Sequence, residues 1–137
     1  MATLARLWQR RCGFWVDVAP AIVYLGVLFW AGLTPLQQLP GPDFELADKV
    51  WHLLAFGGLA GLAARALAHW GRSSGRAAIE AALFSAALGA LLEGLQSLTP
   101  YRAAEWADLV ADALGALLAY GALRALAHAA GPARGAP

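Results

Sequence analysis

Asp48 and His52, Glu93 and Gln96, and Asp108 and Asp112 stand four, three and four residues apart in the chain. At 3.6 residues per turn, each pair falls on one face of a helix. An imidazole with several carboxylates is a set of groups that moves protons or holds a divalent cation, and Lys49 and Arg102 add cationic groups able to grip an anion. Counting Asp48, Glu93, Asp108 and Asp112 against Lys49 and Arg102 leaves two excess negative charges. A protonated carboxyl, a charged His52 or a bound cation would balance them. No cofactor is expected, and no metal ligand set is assigned; a divalent cation enters only as one way of balancing that charge. Ser97 and Thr99 lie close by in sequence, but nothing beside them marks an activated nucleophile.

The elements that must carry these residues are apolar. Of 137 residues, 60% are hydrophobic and 14% charged, with a net charge of +1, which excludes a disordered chain and is unusual for a soluble domain. A single cysteine, Cys12, excludes an intrachain disulfide framework and a thiolate zinc cage. The basic residues are scattered between apolar runs instead of forming a stripe, so no nucleic-acid partner is expected. No charged residue falls between Val18 and Pro42, and the stretch from about residue 14 to 33 is a helical span long enough to cross a hydrocarbon core of about 30 Å. Arg6, Arg10 and Arg11 precede it as in a signal peptide, but the run is long and ends in Thr34-Pro35, which reads as an uncleaved anchor. Residues 47–70, 77–98 and 107–129 have helical composition and spanning length, with polar residues and Trp15, Trp30, Trp51, Trp70 and Trp106 near the segment ends. The expected fold is therefore all-α, a polytopic membrane protein of four transmembrane helices. Its expected organisation is a basic amino terminus over residues 1–13, the membrane domain over 14–130 and a disordered tail over 131–137.

With the amino terminus inside, the inner side collects Arg6, Arg10, Arg11, Arg65, Arg72, Arg76, Arg124 and Arg134, and the outer side only Lys49 and Arg102. That bias predicts both termini cytoplasmic. His52, Glu93 and Asp112 then each lie about five residues from an outer helix end, roughly 7 Å below one interface at 1.5 Å per residue. A buried carboxylate in hydrocarbon is costly, by about 3 kcal/mol on insertion scales, so these faces should point at one another. Gly57 and Gly61, Ser85 and Gly89, and Gly115 and Ala119 repeat at four-residue spacing and predict close helix packing. Asp48 and Asp108, in first turns, also suit helix capping and dipole partners.

Read in order, these motifs resemble the VanZ-like family of small membrane proteins. Thr34-Pro35 resembles the family's Ser/Thr-x-Pro ending of the first span, Asp48-Lys49-Val50-Trp51-His52 its D-K-x-x-H, and Glu93-Gly94-Leu95-Gln96 its E-x-x-Q. Arg102 sits where the family places an arginine after a proline, and residues 108–115 resemble D-x-x-x-N-x-x-G with Asp112 in place of the asparagine. The resemblance runs from about residue 14 to 120. It implies a bacterial inner (plasma) membrane protein connected with teicoplanin susceptibility; the aspartate at 112 implies a protonated carboxyl, an extra cation or another ligand preference.

Four readings of the cluster follow. In the first, an outer-facing pocket binds an envelope lipid or glycan headgroup or a lipophilic glycopeptide, with Lys49 and Arg102 holding an anionic group and Glu93, Gln96 and Asp108 orienting it. In the second, His52 and Glu93 serve as base and acid of an enzyme acting on a lipid or lipid-linked precursor, with Asp108 or Asp112 orienting the histidine or holding a cation. Proton or ion translocation through Glu93 is the third, opposed by the lack of an acidic relay between it and Glu80. The fourth is polar glue between helices.

Overall fold

The computed structural model describes residues 13–35, 46–102 and 104–129. A π-helical turn, Phe14–Val18, leads into α1 (Ala19–Gly32), followed by α2 (Ala47–His69), α3 (Ser74–Gln96) and α4 (Trp106–Ala129). The wide first turn has a local cause. Pro20 has no N–H to give to the fourth carbonyl behind it, and the Ala19 N–H reaches five residues back to the Phe14 carbonyl. The span from Phe14 to Gly32 and the three later helices are each long and apolar enough to cross a membrane. Their bounds follow the expected segments closely, with α3 starting three residues earlier, at Ser74. The basic amino terminus, with Arg6, Arg10 and Arg11, and the tail over 131–137 lie outside the described residues.

Helices α2, α3 and α4 pack against one another, and α1 lies on the outside of this trio, chiefly along α2. Between α2 and α3 the chain reverses at Gly71, whose φ of 84° is a left-handed conformation that glycine adopts without a Cβ clash. The Gly71 N–H bonds the Ala68 carbonyl at 2.9 Å and the Arg72 N–H the Leu67 carbonyl at 3.1 Å, the paired bonds of a Schellman cap.

The distribution of polarity is inverted relative to a protein folded in water. Large apolar side chains such as Val23, Val27, Leu54, Leu83, Leu117 and Leu126 face outward, and so do Trp15, Trp30, Trp51, Trp70 and Trp106 near the helix ends. His52, Ser85, Glu93, Gln96, Asp108 and Asp112 are buried. An apolar exterior is stable against lipid, where every polar group has to find its partner inside the bundle.

Two small contacts fix the frame. A Cβ at Gly115 would collide with the Leu53 carbonyl oxygen and lie 3.0 Å from the Gly57 nitrogen, so α2 and α4 touch backbone to backbone. Gly89 on α3 leaves the space that Asp112 fills, since a Cβ there would sit 2.6 Å from its Oδ2. The contact expected at Gly61 is corrected by the structure: apart from its chain neighbours and the adjoining backbone of α2, no described atom lies within 4 Å of where its Cβ would be. Ser85 donates to the Phe56 carbonyl at 2.7 Å and Tyr24 to the Ala55 carbonyl at 3.0 Å, which ties α3 and α1 to α2.

Candidate functional site

The amino-terminal turns of α2 and α4 and the carboxy-terminal turns of α3 meet at one end of the bundle. They carry Asp48, Lys49 and His52, then Asp108 and Asp112, then Glu93. His52 sits at the centre, its ring nearly parallel to that of Phe56 one turn further on, with centroids 6.3 Å apart. Its Nδ1 lies 2.9 Å from Asp112 Oδ1, and with the proton on that nitrogen the imidazole donates to the carboxylate. Glu93 Oε1 is 3.9 Å from the same nitrogen, and on the far side of the ring Asp108 Oδ2 is 3.9 Å from Nε2. One ligand atom from each of His52, Glu93 and Asp112 falls within 4.8 Å of the others. Three helices thus bring ionisable groups together where Gly115 lets α2 and α4 touch backbone to backbone and Gly89 leaves room on α3 for the Asp112 side chain.

Lys49, the next residue after Asp48, has a different position from the one its charge suggested. Its ammonium lies 2.6 Å from Asp108 Oδ1 and 3.6 Å from Asp48 Oδ2, and it donates to Glu105 Oε2. An ammonium with three carboxylates around it is a structural counter-ion, so Lys49 does not present a free charge to an anion. Glu105 is the participant that the pattern of helix faces did not reveal. Besides holding Lys49, its backbone N–H donates to Glu93 Oε2 at 3.1 Å, which fixes that carboxylate against the connection before α4.

Gln96 does not join the cluster. Its Nε2 donates to the Gly32 carbonyl at 2.8 Å, and Tyr101 donates to the Leu33 carbonyl at 3.0 Å. Both therefore satisfy the open carbonyls at the end of α1. The role expected for Gln96, orienting a ligand, gives way to fastening α1 onto α3. Arg102 is half-buried in the connection between α3 and α4 and makes no ion pair among the described residues; its Nε is buried without a hydrogen-bond partner there. Ser97 donates to the Gly94 carbonyl and Thr99 to the Gln96 carbonyl, at 2.7 and 2.9 Å. Those hydroxyls serve the end of α3 and are not aimed at an imidazole.

Glu93 links the interior to the outside. It contributes Oε1 to the imidazole and also lines an open depression of about 250 Å³ bounded by Gly94, Ala104, Glu105, Trp106 and Leu109. Glu93 Oε1 and Asp112 Oδ2 are buried and accept no hydrogen bond among the described residues. Buried oxygens of this kind are costly, because the desolvation of a carboxylate is repaid only when its lone pairs are used.

The fold and site define a multi-pass membrane protein of four helices with a carboxylate-rich, histidine-centred cluster at one end. The family described as VanZ/LLP1 matches residues 21–127, most of the chain and all of the cluster, and the protein belongs to that family. Neither the curated proteins nor the solved structures contain a match.

Proposed function

We propose that this VanZ-family protein resides in the bacterial inner (plasma) membrane with both termini in the cytoplasm. There its polar cluster, facing outward, binds the headgroup of an envelope lipid or lipid-linked glycan precursor and so lowers susceptibility to a lipophilic glycopeptide such as teicoplanin. The observation that carries this reading is Glu93, whose carboxylate belongs both to the buried His52 group and to the wall of the open depression. A depression at a helix-bundle end with a few convergent polar groups is the ordinary form of a small-ligand site. The orientation rests on the excess of arginine at the opposite end.

The enzyme reading keeps support from one feature. With Nδ1 anchored on Asp112, the imidazole is oriented as a general base would be. The test compares teicoplanin susceptibility in a sensitive Gram-positive host expressing wild type or Glu93→Gln at matched membrane levels. Protection by the wild type that is lost in the variant is expected. Equal protection by both would overturn the role given to Glu93, and no protection by either would overturn the link to the glycopeptide. A turnover assay on lipid-linked precursors separates enzyme from binder.

A further inference from the structure

We propose that His52, Glu93 and Asp112 bind a divalent metal ion, at a site formed by one imidazole and two carboxylates on α2, α3 and α4. The distances fit such an ion. Ligands about 2.1 Å from an octahedral cation lie about 3.0 Å from their neighbours and about 4.2 Å from the ligand opposite. His52 Nδ1 is 2.9 Å from Asp112 Oδ1 and 3.9 Å from Glu93 Oε1, and all three ligand atoms fit within 4.8 Å. Glu93 Oε1 is the second, independent sign. Its side chain is 7% exposed, the atom accepts no hydrogen bond among the described residues, and it is aimed at the imidazole nitrogen.

Asp48, His52 and Asp108 form another triad of the right size. Its centre is already served by a cation, since the Lys49 ammonium is 2.6 Å from Asp108 and 3.6 Å from Asp48. The ion therefore belongs on the Glu93 and Asp112 side of the ring. Asp108, across the ring from the ion, is the carboxylate that would orient the imidazole through Nε2, as partners of metal-bound histidines do. One nitrogen and two carboxylate oxygens favour a borderline ion such as Mn²⁺ or Zn²⁺ over Mg²⁺ or Ca²⁺, which prefer oxygen alone. The role of the ion rests on the headgroup reading and deepens it. With Lys49 engaged by acids, a metal ion would add to Arg102, which makes no ion pair among the described residues, the attraction that a carboxylate-rich site otherwise denies a phosphate, so the ligand class becomes a phosphate-bearing headgroup.

The experiment uses the full chain in detergent, stripped with EDTA and titrated with Mn²⁺ alone under electron paramagnetic resonance. A single saturable Mn²⁺ per chain is expected, with imidazole nitrogen coupling that persists when His69 and His128 are replaced by Gln. Glu93→Gln and Asp112→Asn should each weaken it by about tenfold or more, and Asp48→Asn should leave it in place; helical circular dichroism establishes that each variant is folded. No saturable site in the wild type, or full affinity in both Glu93→Gln and Asp112→Asn, would overturn the proposal. If Asp112→Asn fails to fold, Glu93→Gln decides alone. Binding of phosphatidylglycerol nanodiscs is then compared with and without Mn²⁺. Mn²⁺ bound but no lipid preference leaves the ion site standing and removes the headgroup reading, whereas lipid binding indifferent to Mn²⁺ removes the bridging role.

Discussion

At the end of the bundle where α2 gives way to α3, every acid among the described residues has a basic partner. Asp17 is met by Arg65 at 2.8 Å and His69 at 3.4 Å, and Glu80 by Arg72 at 3.2 Å and Arg76 at 3.7 Å. These pairs stand at the surface, with the arginine side chains between 49% and 70% exposed. At the other end Asp112 is fully buried and Glu93, Asp108 and His52 nearly so, and the acids outnumber the bases that touch them. Exposed pairs of the first kind contribute about 0 to 1 kcal/mol each and cost little to keep. Buried, incompletely matched charges of the second kind oppose folding. Under the proposed function these charges serve a ligand, and the comparison then sets an end whose pairs are matched at the surface against an end whose buried charges await a partner.

The largest expected effect tests the frame beneath both ends. Gly115→Val places side-chain atoms where the Leu53 carbonyl already sits, and overpacking of this kind costs about 1 to 3 kcal/mol or more. Loss of folded protein, followed by fluorescence-detected size exclusion on heating, is the expected outcome. Next, the two ends should respond oppositely to one chemical change. Asp112→Asn keeps an acceptor for His52 while removing a buried charge, so thermal stability should hold or rise while Mn²⁺ binding falls. Asp17→Asn removes the partner of Arg65 and His69, so stability should fall modestly while Mn²⁺ binding stays. The same response at both ends would break the comparison.

A smaller effect is expected at Gln96. Gln96→Leu leaves the Gly32 carbonyl without its donor at the junction with α1 and should cost about 1 kcal/mol, with Mn²⁺ affinity unchanged. If metal or lipid binding collapses instead, Gln96 belongs to the site after all. The smallest effect is at Gly61. Open space surrounds its Cβ position, so Gly61→Ala should stabilise the helix by up to about 1 kcal/mol in a melting experiment.

The four spans and most of the cluster were legible because both follow from period and depth. Apolar length marks a span, and pairs three or four apart share a face, so His52, Glu93 and Asp112 could be brought to one depth, with Asp48 and Asp108 one turn further out on the same faces, without coordinates. Helical period does not give rotation to better than a neighbouring face, and so Gln96 was placed with Glu93 although it points at α1. Glu105 was missed because it lies in a connection, where no period applies and only the folded path brings it to Lys49 and Glu93. Gly57 and Gly61 look equivalent in sequence, but crossing helices touch closely over a short stretch, and Gly57 alone falls on it. Asp17 gave no signal, since its partners Arg65 and His69 lie 48 and 52 residues away on another helix.

The central claim is that the charge at the cluster end serves a ligand at the expense of stability. Its most direct test is to purify wild type and Glu93→Gln from bacterial membranes, identify the lipids each retains by native mass spectrometry, and measure the melting temperature of both. The account predicts that the wild type carries a phosphate-bearing lipid which Glu93→Gln has lost, while the variant melts at the same temperature or higher once lipid is removed from both. Equal lipid retention together with a lower melting temperature for Glu93→Gln would make the cluster polar glue between helices and contradict the account.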